Sequence, residues 1–556
     1  MEWYATSLQN SKLPILGNPQ DEEIDGSSFF GMTPVTDATI ERLKDATRLP
    51  SGSSMWPELN LDKFPSKRKL DHCIDLYFAH FHRTLPIIHR PTFDATKHPA
   101  ATTLAIACIG ACYTGLEGAR NFSNSLSELN RRLLLFMSEQ DRRFVRTEFY
   151  VGAQLLQGTH GYSSGNKRLF ELSDSFRSSL VNNARCMGLF QDRPKTVPIN
   201  DSLEARWHAW ISDERLCRLA WAVYEYDSSV SYLHNTRPFL SVSEINLSMP
   251  CPLPLWEAET GHVWLSLHPW TKSLSPNPSF RPMLHSLFKN ADTVLAKAAD
   301  FQHDLIIINT LTRTLWSVKE FEGSAVNDFI RGNSSLTESK THVQEVLDRF
   351  LFTQAPKPHS KAELSYFVRK MHIIHMSHLY GAGDLMDWLR PLFRGGPGAE
   401  AAKSRAKQWG SRDPVRLRRV AFHSAQVLAL ARRYLQNESR EAFNVFNAGI
   451  VLWCIVGLAM QKPFDGRPSP STPPYRLDGP ASDGEQISPV HLEWIRSGSP
   501  QVVSMHGVPR LFTKEGQTQV LEQTASILET MQVWGIAQNL LQVVSLLIQR
   551  EDTEKS

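Results

Sequence analysis

From Leu70 onward, apolar residues return every three or four positions in stretch after stretch, a spacing that serves a helix and not a strand. In LDHCIDLYFAHFHRTLPIIHRPTF (70–93), Leu70, Ile74, Tyr77, Phe78 and Phe81 fall at i, i+4, i+7, i+8 and i+11, along one face of a helix. Pro86 should stop that helix, because proline has no amide hydrogen to donate. The same period marks 101–113, 125–138, 145–158, 168–187, 203–230, 283–319, 340–353, 361–390, 413–436, 441–460 and 517–549. In the last stretch Ile527, Trp534 and Leu541 repeat every seven residues, with Val520, Met531 and Leu547 on the same side. Alternating strand patterns are scarce, so the chain reads as all-α, a large bundle-like assembly of many helices.

Residues 1–65 hold no sustained period and carry polar clusters such as NPQDEEIDGSS and LPSGSS, so they read as a disordered N-terminal arm. A first helical region spans 66–262 and a second 283–550. Three stretches rich in Pro, Gly and Ser interrupt the order, at 265–282, 393–413 and 462–489, and read as surface loops or flexible insertions. With 556 residues, 41% of them hydrophobic, the chain can bury one large core or two to three ordinary ones. Its 60 Lys and Arg against 57 Asp and Glu leave a charge of +3, too small for nucleic-acid binding through bulk electrostatics. Seven scattered cysteines read as buried free thiols. The N-terminus MEWYATSLQNSKLP lacks the basic and apolar regions of a secretory leader. The longest apolar run, AGIVLWCIVGLAM from Ala448, is too short to span a bilayer, so no membrane contact is expected.

Several clusters suggest chemistry and are weighed by geometry. His72, Cys73, His80, His82 and His89 are residue types that zinc takes. On a helix, however, Cys73 and His80 are about 10 Å apart along the axis and His72 and His82 about 15 Å, so no single ion reaches either pair. Cys108 and Cys112 lie four apart on an apolar stripe with no nearby histidine pair, which favours small core residues. GYSSG (161–165) matches a nucleophile elbow with Ser163 as nucleophile, but an elbow follows a strand, and here a helical period precedes it. His372, His375 and His378 share a broad helix face; groove-lining or hydrogen-bonded histidines are favoured over a ligand or proton-sensitive role. KSRAKQWGSRDPVRLRR (403–419) reads as a solvated helix start, against a nuclear-import or phosphate-contact patch. No phosphate loop, dinucleotide fingerprint or His-Glu-x-x-His occurs, and catalysis has no positive support.

The segment LYFAHFHRTLPIIHRPTF resembles the first helix and turn of the fungal-specific transcription factor regulatory domain, also called the middle homology region. The resemblance is carried by Leu76, Tyr77, Phe78, Phe81, Pro86, Ile87, Ile88, His89, Pro91 and Phe93. LFELSDSFRSSLVNNARCMGLFQDRP (169–194) is similar to a second block, and 211–256 to the most recognisable one, with Glu214, Arg218, Trp221, Asp227, Arg237, Pro238 and Pro250 where the pattern expects them. The resemblance implies an all-α regulatory domain, a nuclear location, and control of RNA polymerase II transcription of metabolic genes, secondary-metabolite clusters included. Such regulators carry a zinc DNA-binding module ahead of this domain, whereas these residues hold no cysteine before Cys73. No cofactor is therefore expected in this chain, and zinc only with a module missing from it. DNA would be reached through that module or through a partner protein, the transcription machinery or a related regulator, in a homo- or heterodimer. Two alternatives stand beside this reading: a non-DNA-binding partner of a complete factor, and a serine hydrolase using Ser163. A buried ionic link between Arg218 and Asp227 is expected to fix the turn before Arg237 and Pro238, with Trp221 and Tyr224 as core aromatics.

Overall fold

Thr36 accepts a hydrogen bond from the Thr39 amide and opens α1 (Asp37–Arg48), which buries Ile40 and Leu43 and so sets a short helix inside the stretch expected to be disordered. A hydrogen bond of 2.7 Å from the Val35 amide to Asp71 holds its start. The computed structural model describes residues 32–52, 61, 64–193, 201–267, 277–289, 301–325, 333–352, 361–381, 385–394, 397–459, 474–479, 489–498 and 501–553, and residues 1–31 of the expected arm lie outside them. Two compact units result, the first made of 1–227, 239–280 and 533–536, the second of 228–238, 281–532 and 537–556.

In the first unit, Ser66 caps α2 (Lys67–Leu76), and the chain continues as a π-helical turn over Tyr77–Phe81, closed by a 2.9 Å bond from the His82 amide to the Tyr77 carbonyl. The helix therefore ends at Phe81, before Pro86 is reached. Next come α3 (Ala100–Ala111), α4 (Ala119–Gln140), α5 (Glu148–Ser163), α6 (Lys167–Cys186) and α7 (Leu203–His234), whose residues to Asp227 count with this unit. The short helices α8 (Leu253–Trp256) and α9 (Gly261–Leu267) follow. Helix α3 is apolar all round, and every residue from Ala101 to Ala111 is buried against α2, α4 and α5, as such a helix must be. A Cβ on Gly110 would stand 1.7 Å from the Cys73 carbonyl oxygen, so only glycine lets α3 approach α2 this closely.

The second unit contains α10 (Phe280–Lys289, from Arg281), α11 (Phe301–Glu322), α12 (Asn333–Phe352), α13 (Lys361–Gly381), α14 (Leu385–Arg394), α15 (Pro397–Arg412), α16 (Pro414–Arg433), α17 (Glu441–Ala459), α18 (Pro489–Ser497) and α19 (Lys514–Thr530). Helix α13 packs on α11 and α16, and α17 packs on α16 and α19. By length and composition Glu441–Leu458 could cross a membrane, yet 83% of it is buried inside the protein, which makes it a core helix. Two short parallel strands, β1 (Tyr475–Arg476) and β2 (Val503–Ser504), pair in this unit.

Two sequence expectations need correction, and a third is not tested by the described residues. The supposed insertion at 393–413 contains α15, because Ala399, Ala402, Ala406 and Trp409 form a buried stripe of mostly small residues that composition disguises as loop. The expected insertion at 462–489 lies largely outside the described residues. The supposed single helix over 517–549 is two, α19 and α20 (Gly535–Thr553), since the chain leaves helical geometry at Met531. Between them Trp534 is 3% exposed, with its ring 6.2 Å from Phe81 and 5.9 Å from Tyr113. Gly535 permits this docking: a Cβ there would lie 2.1 Å from the Ser164 carbonyl oxygen. Burying one indole outweighs the few helical hydrogen bonds given up.

Candidate functional site

The Pro86–Phe93 turn is fixed from both ends by side chains. At its start the His82 ring lies 2.9 Å from Glu257, and Arg90 donates to the same carboxylate at 2.8 Å. Burial alone would raise the Glu257 carboxyl, but His82 and Arg90 outweigh it and hold it down at about 2. Phe93 packs 5.1 Å from Phe78, and Tyr77, Phe78, Phe81 and Pro86 are all buried, so the aromatic residues of the π-helical turn are the floor of the Pro86–Phe93 turn. His89 points inward, edge-on to Trp256 at 4.8 Å, with Nδ1 2.8 Å from the Thr92 hydroxyl. Its buried Nε2 has no hydrogen-bond partner, and burial lowers its pKa to about 3, so it stays neutral. Pro91 is half-buried in the short 3-10 turn that follows.

Behind this turn lies a cavity of about 370 Å³ lined by Ile87, Ile88, His89, Thr92, Asp94, Lys97, His98, Thr102, Glu148, Phe149, Gly152, His208, Arg215 and Leu219. The guanidinium of Arg215 sits 5.4 Å over the Phe149 ring with a buried, unpartnered Nε. Burial lowers the Arg215 pKa, opposed by Glu148, and burial also lowers His98. The cavity thus joins apolar walls to polar groups that can hydrogen-bond an incoming group.

The residues of the 211–256 block form two clamps rather than the expected Arg218–Asp227 link. Arg218 pairs with Glu214 one turn away on α7 at 2.9 Å, and donates to the Cys251 carbonyl at 2.6 Å, while the Cys251 amide donates to Glu214 at 2.8 Å. Asp227 accepts from the Phe239 amide at 3.0 Å and the Leu240 amide at 2.9 Å, and its cation is Arg177 of α6 at 3.5 Å. The expectation failed because two charges on one helix meet only when three or four residues apart, and 218 and 227 are nine apart. Trp221 and Tyr224 are core aromatics at 4% and 1% exposure, with Trp221 donating to the Ser248 carbonyl. Pro250 is buried, Pro238 half-buried, and Arg237 is exposed and pairs with Glu320 at 3.2 Å.

The remaining candidates resolve structurally. His80 is exposed and stacked on Tyr113, His72 is half-buried, and Cys73 is buried with its thiol pushed up to about 12 by burial, so the opening histidines do not converge. Cys108 and Cys112 surround Ser123, whose hydroxyl lies 2.7 Å from the buried His160 ring and donates to the Cys108 carbonyl at 2.8 Å. GYSSG falls in the last turn of α5 and beyond it, with Ser163 buried as the final helical residue; the strand–turn–helix setting of an elbow is not there. The basic run 403–419 is split: Lys403, Arg405 and Lys407 are exposed on α15, but Arg418 is buried and donates to the Ile495 and Arg496 carbonyls. His372, His375 and His378 are all buried on α13, with His375 Nδ1 2.8 Å from His423 Nδ1 on α16.

Sequence reasoning missed Glu257, Arg215 and Arg177, none of which has a local signal, whereas Glu214 and Arg218 at i and i+4 carry one.

The sequence model described as the fungal specific transcription factor domain matches residues 74–314, from α2 into α11. The chain is 25% identical over 250 residues to transcription factor PfmaH of Pestalotiopsis fici, covering 43% of this chain and 26% of that protein. It is 22% identical over 342 residues to zinc finger protein klf1 of Schizosaccharomyces pombe, covering 59% and 42%. It is 27% identical over 214 residues to the nicotinate catabolism cluster-specific transcription factor of Emericella nidulans, covering 37% and 24%. The matched segments thus cover less than half the length of each of these relatives. These names point to transcription factors and not to enzymes, which sets aside the hydrolase alternative. No solved structure matches the chain.

Proposed function

Residues 74–314 carry the regulatory domain of fungal-specific transcription factors, and on that premise we propose that the chain is a nuclear regulator of RNA polymerase II transcription acting on metabolic genes. The observation that carries the reading is that the family match coincides with a built site. The His82–Glu257–Arg90 network, the Asp227 clamp and the 370 Å³ cavity all lie within residues 74–314. A target among clustered metabolic genes is supported by the relative named for a nicotinate catabolism cluster. DNA is reached through a zinc module outside these 556 residues or through a partner, in keeping with a relative named a zinc finger protein. A cavity that binds a group only when folded couples that group to the stability of the domain, which is the physical basis for regulatory input.

The test is to fuse the chain to a bacterial repressor's DNA-binding domain in a fungal host carrying the matching operator upstream of a reporter. Reporter output that rises or falls at least threefold against the DNA-binding domain alone is expected. Output within threefold of the DNA-binding domain alone in every growth medium overturns the reading. Sequence-specific retardation of genomic fragments by the purified chain without a partner would instead contradict the external DNA reader.

A further inference from the structure

The second unit holds a pocket of about 490 Å³, open to solvent on one side and bordered by α11, α12, α13, α15 and α16, within the range that holds a small organic molecule. Its walls carry two carboxylates and three cations, and the carboxylates are already engaged. Glu322 pairs with Lys340 at 3.2 Å, and Asp413 caps α16 by accepting from the Arg416 amide at 3.0 Å. Asp413 and Glu322 act on Arg416 through space, and no ion pair within 4 Å joins Arg416 or Arg419 to a carboxylate among the described residues. The Arg416 guanidinium lies 4.7 Å over the Trp409 ring, donates once to the Trp409 carbonyl, and keeps a buried Nε with no acceptor. His378, 1% exposed, lines the same cavity; its Nδ1 has no partner, and its Nε2, though 2.9 Å from Asp348, is off the line a hydrogen bond needs.

One donor atom from each of Asp348, His378 and His423 lie within 4.8 Å of one another, which raises a cation as occupant. The ring geometry opposes it. His378 and His423 are stacked at 3.9 Å with an angle of 8° between their planes, and an ion binds an imidazole nitrogen in the plane of its ring. Two parallel planes that far apart cannot share one ion, and the positive charge of Arg419 acts on His423 as well. Guanidinium groups outside ion-pair distance of a carboxylate, an indole face and an imidazole Nδ1 without an acceptor call for the opposite sign of charge.

We propose that this cavity binds a small organic anion, a carboxylate on a planar unsaturated skeleton. Arg416 and Arg419 take the carboxylate, Trp409 takes the ring face, and His378 supplies a further hydrogen bond. The inference stands on the second unit alone and does not depend on the transcriptional reading, so either can fail without the other.

Isothermal titration of the full chain with 2-naphthoate, the neutral 2-naphthamide, a panel of benzoates and aliphatic dicarboxylates, and inorganic phosphate tests it. At least one planar carboxylate should bind saturably and ten times or more tighter than its amide. Arg419→Gln should weaken that binding at least tenfold while leaving the melting temperature of the unliganded chain unchanged. Hydrogen exchange should slow in α15 and α16 on binding, a readout that needs no variant. Equal binding of acid and amide, phosphate binding as tightly as any carboxylate, protection confined to the first unit, no effect of Arg419→Gln, or no binding by any probe at millimolar concentration would each overturn the proposal.

Discussion

Replacing Asp227 by alanine removes an acceptor that is fully buried and serves two backbone amides and a guanidinium at once. Hydrogen bonds to a charged acceptor contribute about 1.5–3 kcal/mol each, so losing those from Phe239 and Leu240 costs about 3–6 kcal/mol before relaxation. The ion pair with Arg177 adds little net attraction after desolvation, but its loss takes the carboxylate away from a 3% exposed guanidinium, and breaking a buried pair costs about 3–5 kcal/mol. These effects overlap, and a net destabilisation of about 4 kcal/mol is expected for Asp227→Ala. Asp227→Asn, which keeps one acceptor oxygen, should lose about 2 kcal/mol. Urea unfolding followed by circular dichroism measures both. A double-mutant cycle then separates partners: Asp227→Asn with Arg177→Met should couple by more than about 1 kcal/mol, and Asp227→Asn with Arg218→Met should be additive within about 0.5 kcal/mol. A loss below about 0.5 kcal/mol for Asp227→Ala, or coupling to Arg218 in place of Arg177, would refute the two-clamp arrangement.

Other outcomes follow from packing and titration. Gly110→Ala, which drives a Cβ to 1.7 Å from the Cys73 carbonyl, should cost about 3 kcal/mol, seen as a lower urea midpoint. Trp534→Ala should cost about 3–5 kcal/mol by emptying the space beside Phe81 and Tyr113, and its effect should show in near-ultraviolet circular dichroism. Burial holds His89 at about 3 and His160 at about 4, against 6.5 when unfolded. The unfolded chain takes up those protons first, so stability should fall as pH drops from about 6.5 toward 4, and His160→Gln should flatten part of that slope. Glu441 is the opposite case: burial, then Glu438, raises it from 4.5 to about 8, so its contribution weakens as pH rises through that window. Glu441→Gln should accordingly gain more stability relative to the wild type at pH 8 than at pH 5, measured by urea unfolding at both.

What the sequence made legible is local. The aromatic stripe running from α2 into the π-helical turn and the apolar α3 and α17 follow from spacing on a helix, a geometry that neighbouring residues set by themselves, and the same spacing joins Glu214 to Arg218 in place of the expected Arg218–Asp227 link. Helix α15 was hidden because a stripe of alanines looks like loop composition, although its period was present. The histidine-rich segment illustrates the division well: its sequence suggests zinc, helix geometry separates the ligands, and the structure gives His82 to Glu257 and His80 to Tyr113.

An all-helical chain with a buried aromatic turn at 77–93 was determined by the sequence alone, since helical period and proline chemistry act over a few residues. Which charge meets which was decided only by tertiary structure. His82 and Glu257 are 175 residues apart, Arg177 and Asp227 are 50 apart, and Trp534 leaves what reads as one helix to fill a gap beside Phe81. Periodicity tells a side chain which way to face; only the packed neighbour, brought in from elsewhere in the chain, determines what it faces.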